Sequence, residues 1–184
     1  MESSVHIVGK FYLINAIELT VESFKQGIKK NWIFFIIIII AFLADRLTKS
    51  QVIDFFLSYK SDSYYFNSFL NFVLLWNTGM AFGILESDNY IYHAFSFLIF
   101  LVILFLMIWF FKSEGGLEKT SLALIIGGAF GNLFDRIKYN AVPDFIDFHY
   151  LDFHWFVFNV SDIIITIGIL LLILNDLFSK NDAK

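Results

Sequence analysis

From Tyr90 to Phe111 the chain is apolar except for His93 and Ser96. A run close to the roughly 20 residues needed to cross a bilayer constrains the fold more than any motif does. Backbone amides in hydrocarbon must be paired within their own segment, and the run shows no apolar/polar alternation, so a helix is expected rather than a barrel strand. A second run, Trp155 to Leu174, is broken only by Asn159, Ser161, Asp162 and Thr166. Two others are shorter. Trp32 to Ala44 reaches spanning length only by continuing through Asp45, Arg46 and Lys49 or by starting near Ile28. Thr120 to Phe134 ends in Asp135-Arg136 and carries Gly127, Gly128 and Gly131, a small-residue face for close helix packing. With 58% hydrophobic and 16% charged residues, including 25 Phe, a soluble domain of 184 residues is excluded. The expected class is an all-α integral membrane protein with four transmembrane helices.

Basic residues set the expected orientation. Lys25, Lys29 and Lys30 precede the first span, Lys112 and Lys119 lie between the second and third, and Lys180 and Lys184 follow the fourth, so these ends, with both termini, are expected in the cytoplasm. Residues 1–30 read as a cytoplasmic extension. There Val5, Ile7, Val8, Phe11, Tyr12 and Ile14 either lie on the membrane surface or belong to a mobile tail. Residues 31–178 form the membrane domain, and 179–184 a cytoplasmic tail. No cleavable signal peptide is expected, because Trp32 to Ala44 comes late and leads into Asp45-Arg46. The net charge of −4, with scattered bases, argues against nucleic-acid binding, and the absence of Cys removes disulfides, thiolate metal sites and cysteine nucleophiles.

The extracytoplasmic side then receives residues 50–89 and 137–154, which carry Asp54, Asp62, Glu86, Asp88, Asp144, Asp147 and Asp152. Tyr64 to Asn77 mixes aromatic and aliphatic residues with Asn and Ser, a β-prone composition suited to a small sheet on the bilayer between helices 1 and 2; Phe145 to Phe158 is similar. Asp147, His149, Asp152 and His154 suggest a metal site, but no ligand frame of the HExxH kind accompanies them, and polar positions on a half-exposed strand are the preferred reading. No metal or other cofactor is expected.

Asp144 and Asp162 lie in or beside membrane-grade apolar sequence, where an unpaired ionised acid is costly. Brought together, mutual repulsion and poor solvation would keep one protonated and one charged, the arrangement by which an aspartic protease activates water. Asn132, Asp135 and Arg136 share a helical face. Arg136 there either neutralises a carboxylate or holds a substrate carbonyl, with interfacial anchoring and an Asp135 to Arg136 charge balance as the structural alternative. Asn159 and Asp162 also share a face, letting the amide orient the acid or a backbone strand of a ligand. Asp45 and Lys49 form an i, i+4 pair whose plainest reading is a salt bridge, and Asn77-Thr78-Gly79-Met80-Ala81-Phe82-Gly83 is a glycine-punctuated turn.

In this order the motifs are far more specific than singly. The sequence resembles the lipoprotein signal peptidases, the type II signal peptidases of bacteria, over about residues 30–178. The resemblance rests on Asp45 to Lys49, the Asn77 to Phe82 box, Gly127 to Arg136, Val142-Pro143-Asp144-Phe145-Ile146-Asp147-Phe148 and Phe158 to Asp162. It implies a four-helix membrane aspartic endopeptidase of the inner membrane that removes the signal peptide from prolipoproteins just before the diacylglyceryl-modified cysteine. It further implies Asp144 and Asp162 as the dyad, and Asp45, Lys49, Asn77, Gly79, Gly128, Asn132, Arg136 and Asn159 as residues that bind substrate or support the site. The expected partners are diacylglyceryl-modified prolipoproteins and membrane lipid, with the chain acting as a monomer. The segment from Tyr64 to Phe82 is a candidate flap over the site.

Three departures stand out: Ser161 where alanine is usual, Pro143 where valine is common, and Arg46 where glutamine is frequent. Ser161 places a hydroxyl beside the dyad that is expected to alter its proton distribution. Two alternatives use the same residues: a proton-coupled carrier, disfavoured by the lack of an internal repeat, and a Ser/Lys peptidase built on Ser161 and Lys49, which has no recognisable local frame.

Overall fold

A computed structural model describes residues 2–78, 89–151 and 153–181. Contacts divide the chain into two compact units, Met1–Phe35 and Ile36–Lys184. The first is the N-terminal part of helix α1 (Glu2–Tyr59). The second contains the rest: β1 (Ser63–Asn67), β2 (Leu70–Asn77), α2 (Asn89–Lys112), α3 (Gly116–Tyr139), β3 (Val142–Tyr150), β4 (Phe153–Phe158) and α4 (Val160–Asn181).

Three helical stretches among the described residues are long and apolar enough to cross a membrane: Thr20–Tyr59, Tyr92–Lys112 and Val160–Ser179. Their outward faces suit lipid rather than water, with Ile39, Ile40, Leu47, Phe97, Phe105, Leu170 and Ile173 all exposed. Together with a small antiparallel sheet, they make this a membrane protein. The expected third span corresponds to α3, but its composition is less apolar for a physical reason. Ser121, Leu122, Ala123, Ile126, Gly127, Gly128, Gly131 and Asp135 are buried by protein, so much of this helix is matched to its neighbours rather than to hydrocarbon.

Glycines set the approach of α3 to the helices beside it. A Cβ on Gly127 would lie 2.6 Å from the Ala41 Cβ and 2.7 Å from the Ile38 carbonyl oxygen of α1. On Gly128 it would lie 2.8 Å from both Ile165 Cγ1 and the Ser161 carbonyl oxygen of α4. Backbone cannot yield as a side-chain tip can, so Gly127→Ala is expected to lower stability by about 1–3 kcal/mol. Thermal unfolding in detergent reads this directly. The α2 to α3 connection is fixed by Glu118, which accepts from Trp109 Nε1 at 2.7 Å and from Ser113 Oγ at 2.6 Å.

Two segments far apart in sequence form one four-stranded antiparallel sheet in the order β1-β2-β3-β4. The β-prone reading of Tyr64 to Asn77 holds, and so does that of Phe145 to Phe158. The sheet is therefore not confined to the connection between helices 1 and 2. It also moves the start of the fourth apolar run. Trp155 to Phe158 belong to β4, and α4 begins only at Val160. At the other end of α3, Asn140 closes the helix in the left-handed conformation (φ 54°), which an Asn tolerates, and turns the chain directly into β3. Up to Asn77 the expected flap is paired strand; its continuation from Gly79 to Phe82 lies outside the described residues.

Candidate active site

The β2–β3 register builds the first half of the site. Leu75 opposes Asp144 and Asn77 opposes Val142, which makes Asn77 and Asp144 diagonal neighbours on one face. Asn77 Nδ2 donates to Asp144 Oδ2 at 2.8 Å. The second half comes from the start of α4. Asn159 precedes the helix rather than sharing its face with Asp162, and the two residues cap it reciprocally. The Asp162 N–H donates to Asn159 Oδ1 at 3.3 Å, and the Asn159 N–H donates to Asp162 Oδ2 at 3.1 Å. This leaves the Asn159 amide group free to face β3, where Nδ2 donates to Asp144 Oδ1 at 2.6 Å. One residue thus ties both carboxylates together, and the amide orients Asp144 rather than Asp162.

Asp144 is 2% exposed. It lies on β3, outside the apolar helices. Burial pushes its carboxyl up to about 6, and the nearby Asp162 charge adds to the rise, against the amide donors of Asn159 and Asn77 and the more distant Lys49. The second carboxylate is held from α3, where Asn132 Nδ2 donates to Asp162 Oδ1 at 2.8 Å.

Behind Asn132 lies a cluster of two buried acids, the buried Lys49 and the half-buried Arg46. Lys49 Nζ contacts Asp45 Oδ1 at 2.9 Å and Asp135 Oδ2 at 2.7 Å, and it donates to Asn132 Oδ1 at 2.8 Å. Arg46 forks across both oxygens of Asp135, with Nη2 to Oδ2 at 2.6 Å, and also reaches Asp45 Oδ2 at 2.6 Å. Asp45 Oδ1 accepts the Ser161 N–H at 3.0 Å, fixing the first turn of α4. The Asp45 to Lys49 salt bridge is therefore as expected, but Asp135 does not balance Arg136. It neutralises Arg46 and Lys49 instead. Arg46 and Asp135 are the supporting residues that sequence reasoning missed. Counting charges inside apolar sequence points to them, since an additional cation at position 46 requires an anion within reach.

Arg136 is buried with its guanidinium near the Tyr92 and Phe95 rings, 5.8 and 5.7 Å from their centroids. Its Nε and Nη1 have no hydrogen-bond partner among the described residues, so the group retains donors for an acceptor from beyond them. Gly128 serves the packing of α3 on α4, and Gly79 lies outside the described residues. The Ser161 hydroxyl bonds to neither carboxylate nor to any other described group. Lys49 is committed to three acceptors, so no Ser/Lys pair forms. Ser161→Ala is accordingly expected to leave the pH dependence of activity unchanged and to alter stability by less than about 1 kcal/mol; matched pH–rate and melting curves check both.

Beside Asp162 a cavity of about 540 Å³ runs along Ile163, Thr166 and Ile167 of α4 and beneath Phe148 and Phe158 of the sheet. Its walls are almost wholly apolar. The buried Asp144 on β3 and the half-buried Asp162 on α4 thus stand at the edge of a largely apolar cavity, an arrangement suited to acid–base chemistry on a partly apolar ligand.

Comparisons with known proteins identify the family. Residues 37–178 match the family described as signal peptidase (SPase) II. The sequence is 44% identical to the lipoprotein signal peptidase of Pelagibacter ubique (strain HTCC1062), over 85% of this chain and 95% of that protein. It is 38% identical to the lipoprotein signal peptidase of Coxiella burnetii (strain RSA 331 / Henzerling II), over 82% of this chain and 91% of that one. A solved structure described as a bacterial membrane enzyme superposes with a TM-score of 0.65 at 28% identity, covering 82% of this chain and 91% of its own. The class so defined is a membrane-embedded peptidase. The chain belongs to the signal peptidase II family, and the carrier alternative falls away.

Proposed function

We propose that the protein is an aspartic endopeptidase that removes signal peptides from prolipoproteins immediately before the diacylglyceryl-modified cysteine, with Asp144 and Asp162 as its dyad. The observation that carries this reading is Asn159, whose side chain and backbone bond one carboxylate each, at 2.6 and 3.1 Å. The two acids share one proton around a water. The ionised member takes a proton from that water as it attacks the scissile carbonyl, while the protonated member donates to the developing oxyanion; the first then passes the water's proton to the leaving amine as the second recovers its own from the collapsing gem-diol. The free donors of Arg136 and the amides of Asn132 and Asn159 position the substrate backbone. The apolar cavity beside Asp162 receives a hydrophobic part of the substrate, whose lipid stays in the bilayer.

Topology follows the lysine distribution and the lipid-compatible helix surfaces. All four helices cross the inner membrane, both termini are cytoplasmic, and the sheet with the dyad lies at the extracytoplasmic face. Residues 1–30 form the cytoplasmic extension, 31–178 the peptidase domain and 179–184 the tail, and the protein acts as a monomer. The direct test presents purified protein with a diacylglyceryl-modified prolipoprotein and with its unmodified precursor. Mass analysis is expected to find a mature product beginning at the lipidated cysteine only with the former. An intact lipidated precursor would refute the assignment.

The dyad must hold one proton, so kcat/KM of the free enzyme is expected to fall along an alkaline limb near pH 6, the pH at which burial leaves Asp144 half-titrated. Stability follows the same group. Its folded value of about 6 exceeds the ordinary 3.8, so the folded protein binds more protons than the unfolded chain between these pH values. The contribution is fully present below the lower value and lost as pH rises through the upper one. A melting series from pH 4 to 8 should show that component in the parent and lack it in Asp144→Asn.

A further inference from the structure

Strands β3 and β4 hold a second polar cluster that the dyad does not use. Asp147 and His149 are two residues apart on β3 and share a face. The register passes from Asp147 opposite Val157 to His149 opposite His154, advancing two residues on β3 and three on β4. This bulge sets His154 directly across from His149, with the imidazoles stacked at 5.1 Å and 18°. The buried Asp147 carboxylate contacts His154 Nδ1 at 2.9 and 3.0 Å through its two oxygens. One donor atom from each of the three residues lies within 4.8 Å of the others. An Asp147–His154 salt bridge alone accounts for two of them but not for His149, whose Nδ1 is buried without a hydrogen-bond partner among the described residues. A buried ring nitrogen in that state is open to a partner from beyond the described residues, such as a bound ion.

We propose that Asp147, His149 and His154 bind a divalent transition metal ion, zinc by its donor preference, which clasps β3 to β4. Two imidazole nitrogens and one carboxylate oxygen suit zinc, whereas calcium and magnesium favour all-oxygen shells. A tetrahedral ion with bonds of about 2.0–2.1 Å sets its donors roughly 3.3 Å apart, so the Asp147–His154 pair opens only slightly to admit it. The His154 side chain is 52% exposed and has room to turn toward the ion. Three protein ligands leave a fourth position for water. His149 also lines the cavity that Asp162 borders, so the ion holds in place the hairpin that forms part of that wall. Its role is structural.

The test is zinc binding by the full-length, tag-free protein in detergent, stripped with a chelator and titrated against a chromogenic zinc indicator. Melting curves establish that each protein is folded. The parent is expected to take up one zinc per chain and to melt at a higher temperature when loaded, while His149→Ala and His154→Ala each weaken binding at least about 100-fold. The exposed His154 carries the comparison if His149→Ala does not fold. A parent that binds no zinc, or variants that bind it as tightly as the parent because the ion sits at His6 or His93, would overturn the proposal.

Discussion

Asp144→Asn and Asp162→Asn are each expected to reduce cleavage of a diacylglyceryl-modified prolipoprotein by roughly 10²–10⁴-fold, the range for removal of a positioned general acid or base. Either substitution nearly preserves side-chain volume but prevents one proton from being shared between two carboxylates. The geometry adds a structural cost that must be measured separately. Both oxygens of Asp144 accept from amides, Oδ1 from Asn159 and Oδ2 from Asn77. A carboxamide offers only one acceptor, leaving one donor unpaired at a cost of about 1–3 kcal/mol. Asp162 has the same double engagement, with Asn132 and the Asn159 N–H. Melting curves therefore accompany the rates, and Asp54→Asn, at an exposed carboxylate, is the control expected to retain activity. Full activity in either folded dyad variant would exclude the shared-proton mechanism.

The two aspartates were legible because an acid in or beside apolar sequence demands an explanation at once. The sheet was legible too, as composition: Tyr64 to Asn77 is too mixed to be a span. Trp155 to Phe158 was harder, because a short apolar run leading straight into a spanning helix carries no local mark of the change from strand to helix. Its separation from α4 depends on pairing with Ile146 and Asp147 of β3. Asn159 is a candidate site residue from sequence, but its amide group bonds Asp144 rather than Asp162. From spacing it faces Asp162 across a helical turn, whereas as a cap it releases its amide toward Asp144. The Asp135 to Arg136 charge balance, one of the two readings left open for that face, does not form for a different reason. Sequence adjacency favours Arg136, but successive residues on a helix point about 100° apart, and Asp135 faces α1 while Arg136 turns toward Tyr92 of α2.

Asp135 supports the second large effect. Asp135→Asn is expected to lower stability by about 3–5 kcal/mol, the cost of leaving a buried charge uncompensated. Asp135 is fully buried and its oxygens receive both Arg46 and Lys49, so its neutral isostere leaves two cations against Asp45 alone. At roughly 2–4 °C per kcal/mol for a chain of this size, the melting temperature falls by on the order of 10 °C. Arg46→Gln in the same background restores charge balance, because Lys49 then faces Asp45 one to one. The double variant should therefore melt above Asp135→Asn, and a positive coupling energy in the four-member cycle is the expected signature. Simple additivity would show that Arg46 and Asp135 do not act as a pair. Activity falls further than stability alone requires, since Lys49 also holds Asn132, and Asn132 holds Asp162. Release of that chain misplaces one member of the dyad even where the helices remain folded. Reduced kcat at a temperature well below the melting transition distinguishes this from simple unfolding, and its recovery in the double variant would trace the dyad's alignment to charge balance between α1 and α3.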